Sequence, residues 1–325
     1  KKEIKKSFSA PEDKKAIDKY VDLIYEVNSS SKGFFSEKVL SDFLSYFLGN
    51  WLRKKYMKFA SRTTLEVLQG LTNNKKLIAL LTAQYGDYGL PPSKSSFAMH
   101  AAVVKHYMNG GSYPIGGAGQ ICASILPTIR KCLGEVYTRA GVEQILFENN
   151  KAIGVKMEDG KELFAPKIIS GTGFFNTYKM IPNRISNKIK WKKYNLNIER
   201  SSSHISLYIG LNGTTSELGL RKANYWIYPN DYDHDLSMSK FLDNPEKESF
   251  PLTYISFPSA KDPTWKERYP EKSTIEVITF APFEWFEKWK KKTWKKRGGE
   301  YDDLKEKYSQ RLLQQLYRVE PQLKG

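Results

Sequence analysis

The sequence predicts a mixed α/β (α+β) chain. Three observations carry this: helical apolar spacing through the first hundred or so residues, a change to short strands and turn dipeptides after residue 134, and two glycine-rich loops in the middle. The chain has 325 residues, 40% hydrophobic and 14% aromatic. That length suits about two domains with a sizeable core, and the composition excludes a disordered chain.

The elements follow in order. Pro11, Glu12 and Asp13 make a good first helical turn, and Ile17, Tyr20, Val21, Ile24 and Val27 then recur at 3 and 4 spacing. Residues 39–48 and 65–71 repeat that spacing. Gly86, Gly89, Pro91 and Pro92 break it into a loop. Residues 97–108 read as a helix ending at Gly110 and Gly111, and residues 120–133 as a helix carrying Pro127 and ended by Gly134. Strands are predicted at 135–137, 142–147, 153–157, 162–164 and 167–170, with turns at Asn149-Asn150 and Asp159-Gly160. Residues 205–211, 225–228, 252–257 and 273–280 are rich in aromatic and β-branched side chains and read as strands. Residues 285–294 and 301–319 read as helices.

Two loops invite a ligand. A full G-x-G-x-x-G fingerprint after a strand is absent from the sequence. Gly171-Thr172-Gly173 follows the strand at 167–170, where peptide N–H groups suit a diphosphate; an ordinary strand-to-helix turn is the plainer reading. The stretch GGSYPIGGAG at 110–119 frees the backbone, and Tyr113 offers a flat face to a planar ring; a tight structural loop reads equally well. Neither loop holds a nucleophile–base pair, so no catalytic residue is assigned, and no metal-ligand spacing is present.

Charge and termini narrow the classes. The net charge is +17. Residues 1–105 hold 18 basic and 10 acidic side chains, 106–180 hold 8 and 6, and 181–325 hold 26 and 19. The excess lies on both flanks, whereas one nucleic-acid module would concentrate it, so no nucleic-acid partner is expected. The run FEWFEKWKKKTWKKR at 283–297 sets Phe283, Phe286, Trp289 and Trp294 against lysines on a helical wheel. It suits a helix on an anionic membrane or one packed on its own domain. Cys122 and Cys132 lie ten apart on one helix, too far to pair within it, and read as buried thiols. His100, His106, His204 and His234 read as structural or surface residues. The start KKEIKKSF holds no apolar leader, and EPQLKG brings no closing element, so an internal segment of a longer protein is expected.

A resemblance joins these pieces. MNGGSYPIGG at 108–117 is similar to the glycine loop of retinol saturases, in the phytoene desaturase and carotenoid isomerase group of FAD-dependent oxidoreductases. SFAMHAAVVKHYM at 96–108, FFNTY at 174–178, FPSAKDPTW at 257–265, EWFEKW at 284–289 and PQLKG at 321–325 match the same family in order. FPSAKDPTW is the most specific, and the similarity spans nearly the whole chain. The family is longer on both sides: its G-x-G-x-x-G turn would precede Lys1, and its closing flavin motif would follow Gly325.

The resemblance implies an amine-oxidase-like fold, with part of a Rossmann-like FAD-binding domain and a substrate domain of mixed sheet and helices. Residues 1–105 would form the helical part of the substrate domain, 106–180 the middle segment of the discontinuous FAD domain, and 181–325 the substrate-domain sheet with flanking helices. Gly110, Gly111, Gly116 and Gly117 would lie against the isoalloxazine end and Tyr113 on the substrate side. The Val142 backbone would face the adenine, and Gly171, Thr172 and Gly173 the phosphate region. The implied reaction is 13,14-reduction of all-trans-retinol by hydride from reduced flavin, with NAD(P)H as donor, at the endoplasmic reticulum membrane. Tyr225, Trp226, Tyr228, Tyr254, Phe257, Phe280 and Phe283 are candidates to line a retinoid or carotenoid pocket, or to build core. A carotenoid desaturase or isomerase on the same scaffold, and a basic lipid-binding module without catalysis, are the alternatives.

Overall fold

The computed structural model describes residues 1–188, 202–293 and 295–324. The chain divides into two compact units, one of Lys1–Gln120 with Ser201–Gly325, the other of Ile121–Arg200. The fold is mixed α/β with two antiparallel sheets among the described residues.

The first unit opens with helices α1 (Lys2–Ser7), α2 (Pro11–Glu37), α3 (Asp42–Ala60), α4 (Thr64–Gln69), α5 (Lys75–Leu81) and α6 (Phe97–Tyr107). Local chemistry sets their ends. Pro11 stands at the start of α2, Thr63 and Glu66 form a reciprocal capping box on α4, and the Asn74 side chain accepts from the N–H groups of Lys76 and Leu77. The predicted stripe of α2 packs inward: Ile17, Tyr20, Ile24 and Val27 are buried with Leu68, Leu77, Phe97 and Ala101. His100 sits in this core. Tyr20 Oη lies 2.8 Å from its Nε2 and 3.4 Å from the Leu81 carbonyl, and Tyr88 Oη lies 3.0 Å from Nδ1. The set closes with the Nε2–H tautomer: the ring donates to Tyr20, which donates to Leu81, and Tyr88 donates to Nδ1.

The second unit holds α7 (Gly119–Lys131, whose first two residues fall in the first unit), strands β1 (Val142–Glu148), β2 (Lys151–Met157) and β3 (Glu162–Phe164), and helices α8 (Phe174–Met180) and α9 (Asn183–Ser186). Asn149 and Asn150 both take positive φ, as the tight β1–β2 turn requires. Three expectations fail here. Residues 135–137 and 167–170 form no ladder, because a strand needs a hydrogen-bonded partner and β1 pairs with β2 alone among the described residues. Cys122 and Cys132 are exposed, since no residue of α7 is buried.

The chain returns to the first unit as β4 (His204–Asn212), β5 (Asn224–Ile227), α10 (His234–Asp243), β6 (Thr253–Ser256), α11 (Pro258–Lys261), α12 (Trp265–Arg268), β7 (Lys272–Phe280) and α13 (Gly299–Val319). The sheet order is β4-β7-β6-β5. Residues 283–289, expected within an α-helix, form a 3₁₀ stretch. Its threefold repeat puts Phe283, Phe286 and Trp289 on one side, where all three line a cavity of about 460 Å³ beside β4. The amphipathic wheel therefore does not apply. Trp289 is buried, and Trp294 lies outside the described residues.

The His100 cluster gives a pH signature. Burial pushes the imidazole down to about 4. The unfolded chain binds this proton below about 6.5 and the folded chain only near 4, so stability falls as pH drops through that window. The loss is about 3 kcal/mol. Urea unfolding at pH 7 and pH 4.5 should show the drop, and His100→Gln should flatten it.

Candidate active site

Strand alternation sorts the side chains of the large sheet. Ile275 and Val277 of β7, Ile255 of β6, Tyr225 of β5 and Leu207 of β4 share one face through the cross-strand register. They join the core built with Tyr308, Leu312 and Leu316 of α13. The opposite face carries Tyr208, Glu276, Ile278, Phe280, Tyr254, Ser256, Asn224 and Trp226. At one end this face is closed. The turn at Tyr85–Asp87 sits on it so tightly that a Cβ on Gly86 would meet Leu252 at 2.4 Å and the Trp226 ring at 2.8 Å. Tyr85 stacks on Phe280 with ring centres 5.9 Å apart and lies 6.0 Å from Tyr228.

The other end meets the glycine loop. Gly110, Gly116 and Gly117 all adopt positive φ, and nothing lies within 4 Å of a Cβ built on Gly110 or Gly111. Asp262 fixes this loop: its Oδ1 accepts from the Gly116 N–H at 3.0 Å and from the N–H and hydroxyl of Thr264 at 3.0 and 2.9 Å, and its Oδ2 pairs with Arg268. Desolvation draws the Asp262 carboxyl upward, but the N–H of Gly116, the donors of Thr264 and the Arg268 charge outweigh it, so it stays below the usual carboxylate range. Next in the chain, Lys261 bonds Asn224 and the Ser256 hydroxyl, and its Nζ lies 5.8 Å from the Tyr113 ring centre. Burial pushes the Lys261 ammonium down, and Glu276 offsets part of that. The Tyr107 hydroxyl donates to Asp87, whose carboxyl burial raises. The result is an aromatic strip, with Tyr254 and Ile278 half-buried, between a polar cluster under the glycine loop and a closed aromatic end. Such a surface can hold a long apolar molecule with one polar end.

The sequence candidates separate cleanly. Trp226, Tyr228, Tyr254 and Phe280 share the strip face. Tyr225 and Phe257 lie on the opposite face, where Tyr225 donates to Glu320 at 2.7 Å and its ring meets Phe257 edge-on. Phe283 lines the cavity beside β4 instead. Trp226 and Tyr228 also line a cavity of about 650 Å³ with Phe8, Ala79, Tyr232 and His234. His234 is buried and bonds the Ala79 carbonyl at 2.9 Å, a structural role like that of His100. Gly110, Gly111, Tyr113, Gly116 and Gly117 belong to the first unit; Val142, Gly171, Thr172 and Gly173 belong to the second. Val142 opens β1, beside a cavity of about 570 Å³ lined by Arg139, Ala140 and Gly141. Gly173 precedes α8 with positive φ, and Ser170, Thr172 and Thr177 hydroxyls bond one another around it. Asp262 and Lys261 were missed as site residues. Their one signal was their place inside FPSAKDPTW.

The chain resembles known proteins in fold and in sequence. In fold, the chain matches a solved oxidoreductase from Methanosarcina mazei at a TM-score of 0.50 and 15% identity, over 78% of this chain and 55% of that one. A solved Pyrococcus furiosus protein matches at 0.52 and 14%, over 83% and 61%. No protein-family model matches. By sequence the chain is similar to proteins named all-trans-retinol 13,14-reductase. It is 39% identical to the Danio rerio enzyme of that name over 99% of this chain and 54% of that one, and 33% identical to the Homo sapiens enzyme over 97% and 53%. A Daucus carota prolycopene isomerase is 29% identical over 33% of this chain and 17% of its own length. The chain spans about half the length of the retinol reductases it matches.

The Asp262 clasp is testable by itself. Asp262→Ala strands the Gly116 N–H and the Arg268 guanidinium and should cost about 2 kcal/mol in urea unfolding. Hydrogen exchange at the Gly116 amide should rise at the same time. Unchanged exchange there would mean the loop is held by something else.

Proposed function

We propose that the protein works as an FAD-dependent oxidoreductase that reduces the 13,14 double bond of all-trans-retinol. The observation that supports this best is the glycine loop clasped by Asp262 at the polar end of an aromatic strip, in a chain similar to these reductases. The loop fits a flat ring system: Gly110 and Gly111 leave open space where side chains would stand, and Tyr113 lies between the loop and Lys261. Gly110, Gly111, Gly116 and Gly117 would hold the isoalloxazine end, the Val142 backbone the adenine, and Gly171, Thr172 and Gly173 the phosphate region. When bound, the flavin supplies the hydride, with NAD(P)H as the source of electrons.

The chain's own residues orient the substrate and keep water out. From Asn224 to Tyr228 the strip runs about 13 Å at the rise of a strand, the length scale of a conjugated polyene. Lys261, Ser256 and Asn224 receive the alcohol end near the loop, which sets the adjacent double bond closest to the cofactor. Tyr254 carries the polyene, and Trp226, Phe280 and Tyr228 close the far end. Residues 106–180 act as the middle segment of the FAD domain. The remainder, 1–105 and 181–325, forms the substrate domain. The place of work is the endoplasmic reticulum membrane, which the protein contacts peripherally; no helix among the described residues is long and apolar enough to cross a membrane.

The longest form of the protein carrying these residues should show a visible flavin spectrum after FAD reconstitution and convert all-trans-retinol to the 13,14-dihydro product. No flavin band, or turnover of carotenes alone, would reject the reading. Tyr254→Ala should raise KM for retinol about tenfold with a smaller change in kcat, since an aromatic contact is worth about 1.4 kcal/mol.

A further inference from the structure

We propose that the tip of the α2–α3 hairpin is a docking surface for an anionic lipid bilayer, a proposal that rests on the reading of a membrane-dissolved substrate. The tip exposes apolar side chains that a soluble surface would scatter singly. Val39 is 85% exposed, Tyr46 80%, Trp51 77% and Phe43 71%, with Phe35 and Phe47 also above 60%. They are contiguous: Phe43 and Tyr46 each pack a ring against Phe47 at 5.1 Å.

This exposure is not loose packing. Gly33 of α2 touches the Leu52 carbonyl of α3 so closely that a Cβ there would sit 2.6 Å from the oxygen. The shielded Glu37 carboxylate receives the Ser45 hydroxyl at 2.5 Å, and Lys38 and Arg53 lie 2.9 and 3.5 Å from its oxygens. Polar contacts close the hairpin from within and leave its aromatics outward.

The charge pattern names the occupant. The outward stripe of α3 runs Phe43, Phe47, Trp51 and then changes to Lys54, Lys55 and Lys58. Phe43 and Trp51 stand about 12 Å apart along the axis, and the lysines begin one turn later, about the depth at which an interfacial helix meets headgroup phosphates. Over residues 31–60 there are six basic and two acidic side chains. A second copy would bring the same positive collar against this one, whereas an anionic bilayer takes the aromatics into its interface and pairs the lysines with phosphate.

Vesicle flotation decides it. The purified protein should float with phosphatidylcholine vesicles containing phosphatidylserine and much less with phosphatidylcholine alone. Phe47→Ser/Trp51→Ser should cut partitioning to both about a hundredfold. Lys54→Glu/Lys55→Glu/Lys58→Glu should remove the preference for anionic vesicles by about a hundredfold and leave residual binding to neutral ones. All these side chains are exposed, and the Lys55–Glu26 pair at 3.7 Å is a surface pair worth under about 1 kcal/mol, so melting temperatures should stay within a few degrees of the parent value. Equal flotation of parent and variants overturns the proposal. So does a parent that ignores vesicles and sediments as a dimer which Phe47→Ser/Trp51→Ser dissociates. Retinol reduction in detergent separates the two readings: variants that lose vesicles but keep detergent activity place the failure in docking alone.

Discussion

One buried carboxylate organises the candidate site of this protein. Asp262 is short, rigidly placed after α11, and closed off by its own partners. Its four donors come from three places in the chain: the Gly116 backbone, Thr264 and Arg268. A loop of positive-φ glycines has little intrinsic reason to keep one shape, because glycine has most conformational freedom to lose. A charge-assisted hydrogen bond from outside the loop supplies that reason. The same turn of chain delivers Lys261 to the polar end of the strip. Loop position and strip chemistry are thus set together, by adjacent residues.

Sheet alternation then does the rest. Because successive side chains point to opposite faces, β5 can send Tyr225 into the α13 core and Trp226 to the strip with no change of composition. The closed end depends on Gly86, whose missing side chain lets a turn rest on an indole ring. The histidines support this frame without taking part in it. His100 and His234 are neutral connectors between helices, loops and carbonyls.

Much of this was legible in the sequence, and the failures have physical causes. Ile17, Tyr20, Ile24 and Val27 announced α2 because one helical face must find a core. Asn149-Asn150 announced a tight turn because both residues tolerate positive φ. Residues 135–137 and 167–170 have strand composition, but composition cannot supply a partner ladder. Residues 283–289 misled because α and 3₁₀ helices both bring residues three apart together. Tyr225 and Phe257 looked like Trp226 and Tyr254 because an aromatic in a strand does not state its face; only the register does. Asp262 reads as a lone surface aspartate beside Thr264 and Arg268 until the Gly116 N–H arrives from 146 residues away.

The discontinuity of the first unit has a consequence for how the chain assembles. The α2–α6 core closes within the first 108 residues. Tyr85 and Gly86 are already made at that point, but the strands they cover, β5 to β7, are synthesised well over a hundred residues later. A nascent chain therefore holds a finished helical half with an open aromatic edge while the intervening unit emerges. The long-range pairings are those that fold slowly and leave sticky surface exposed longest. Pairing of the sheet with that edge is therefore the long-range step of assembly, and formation of the helices the local one.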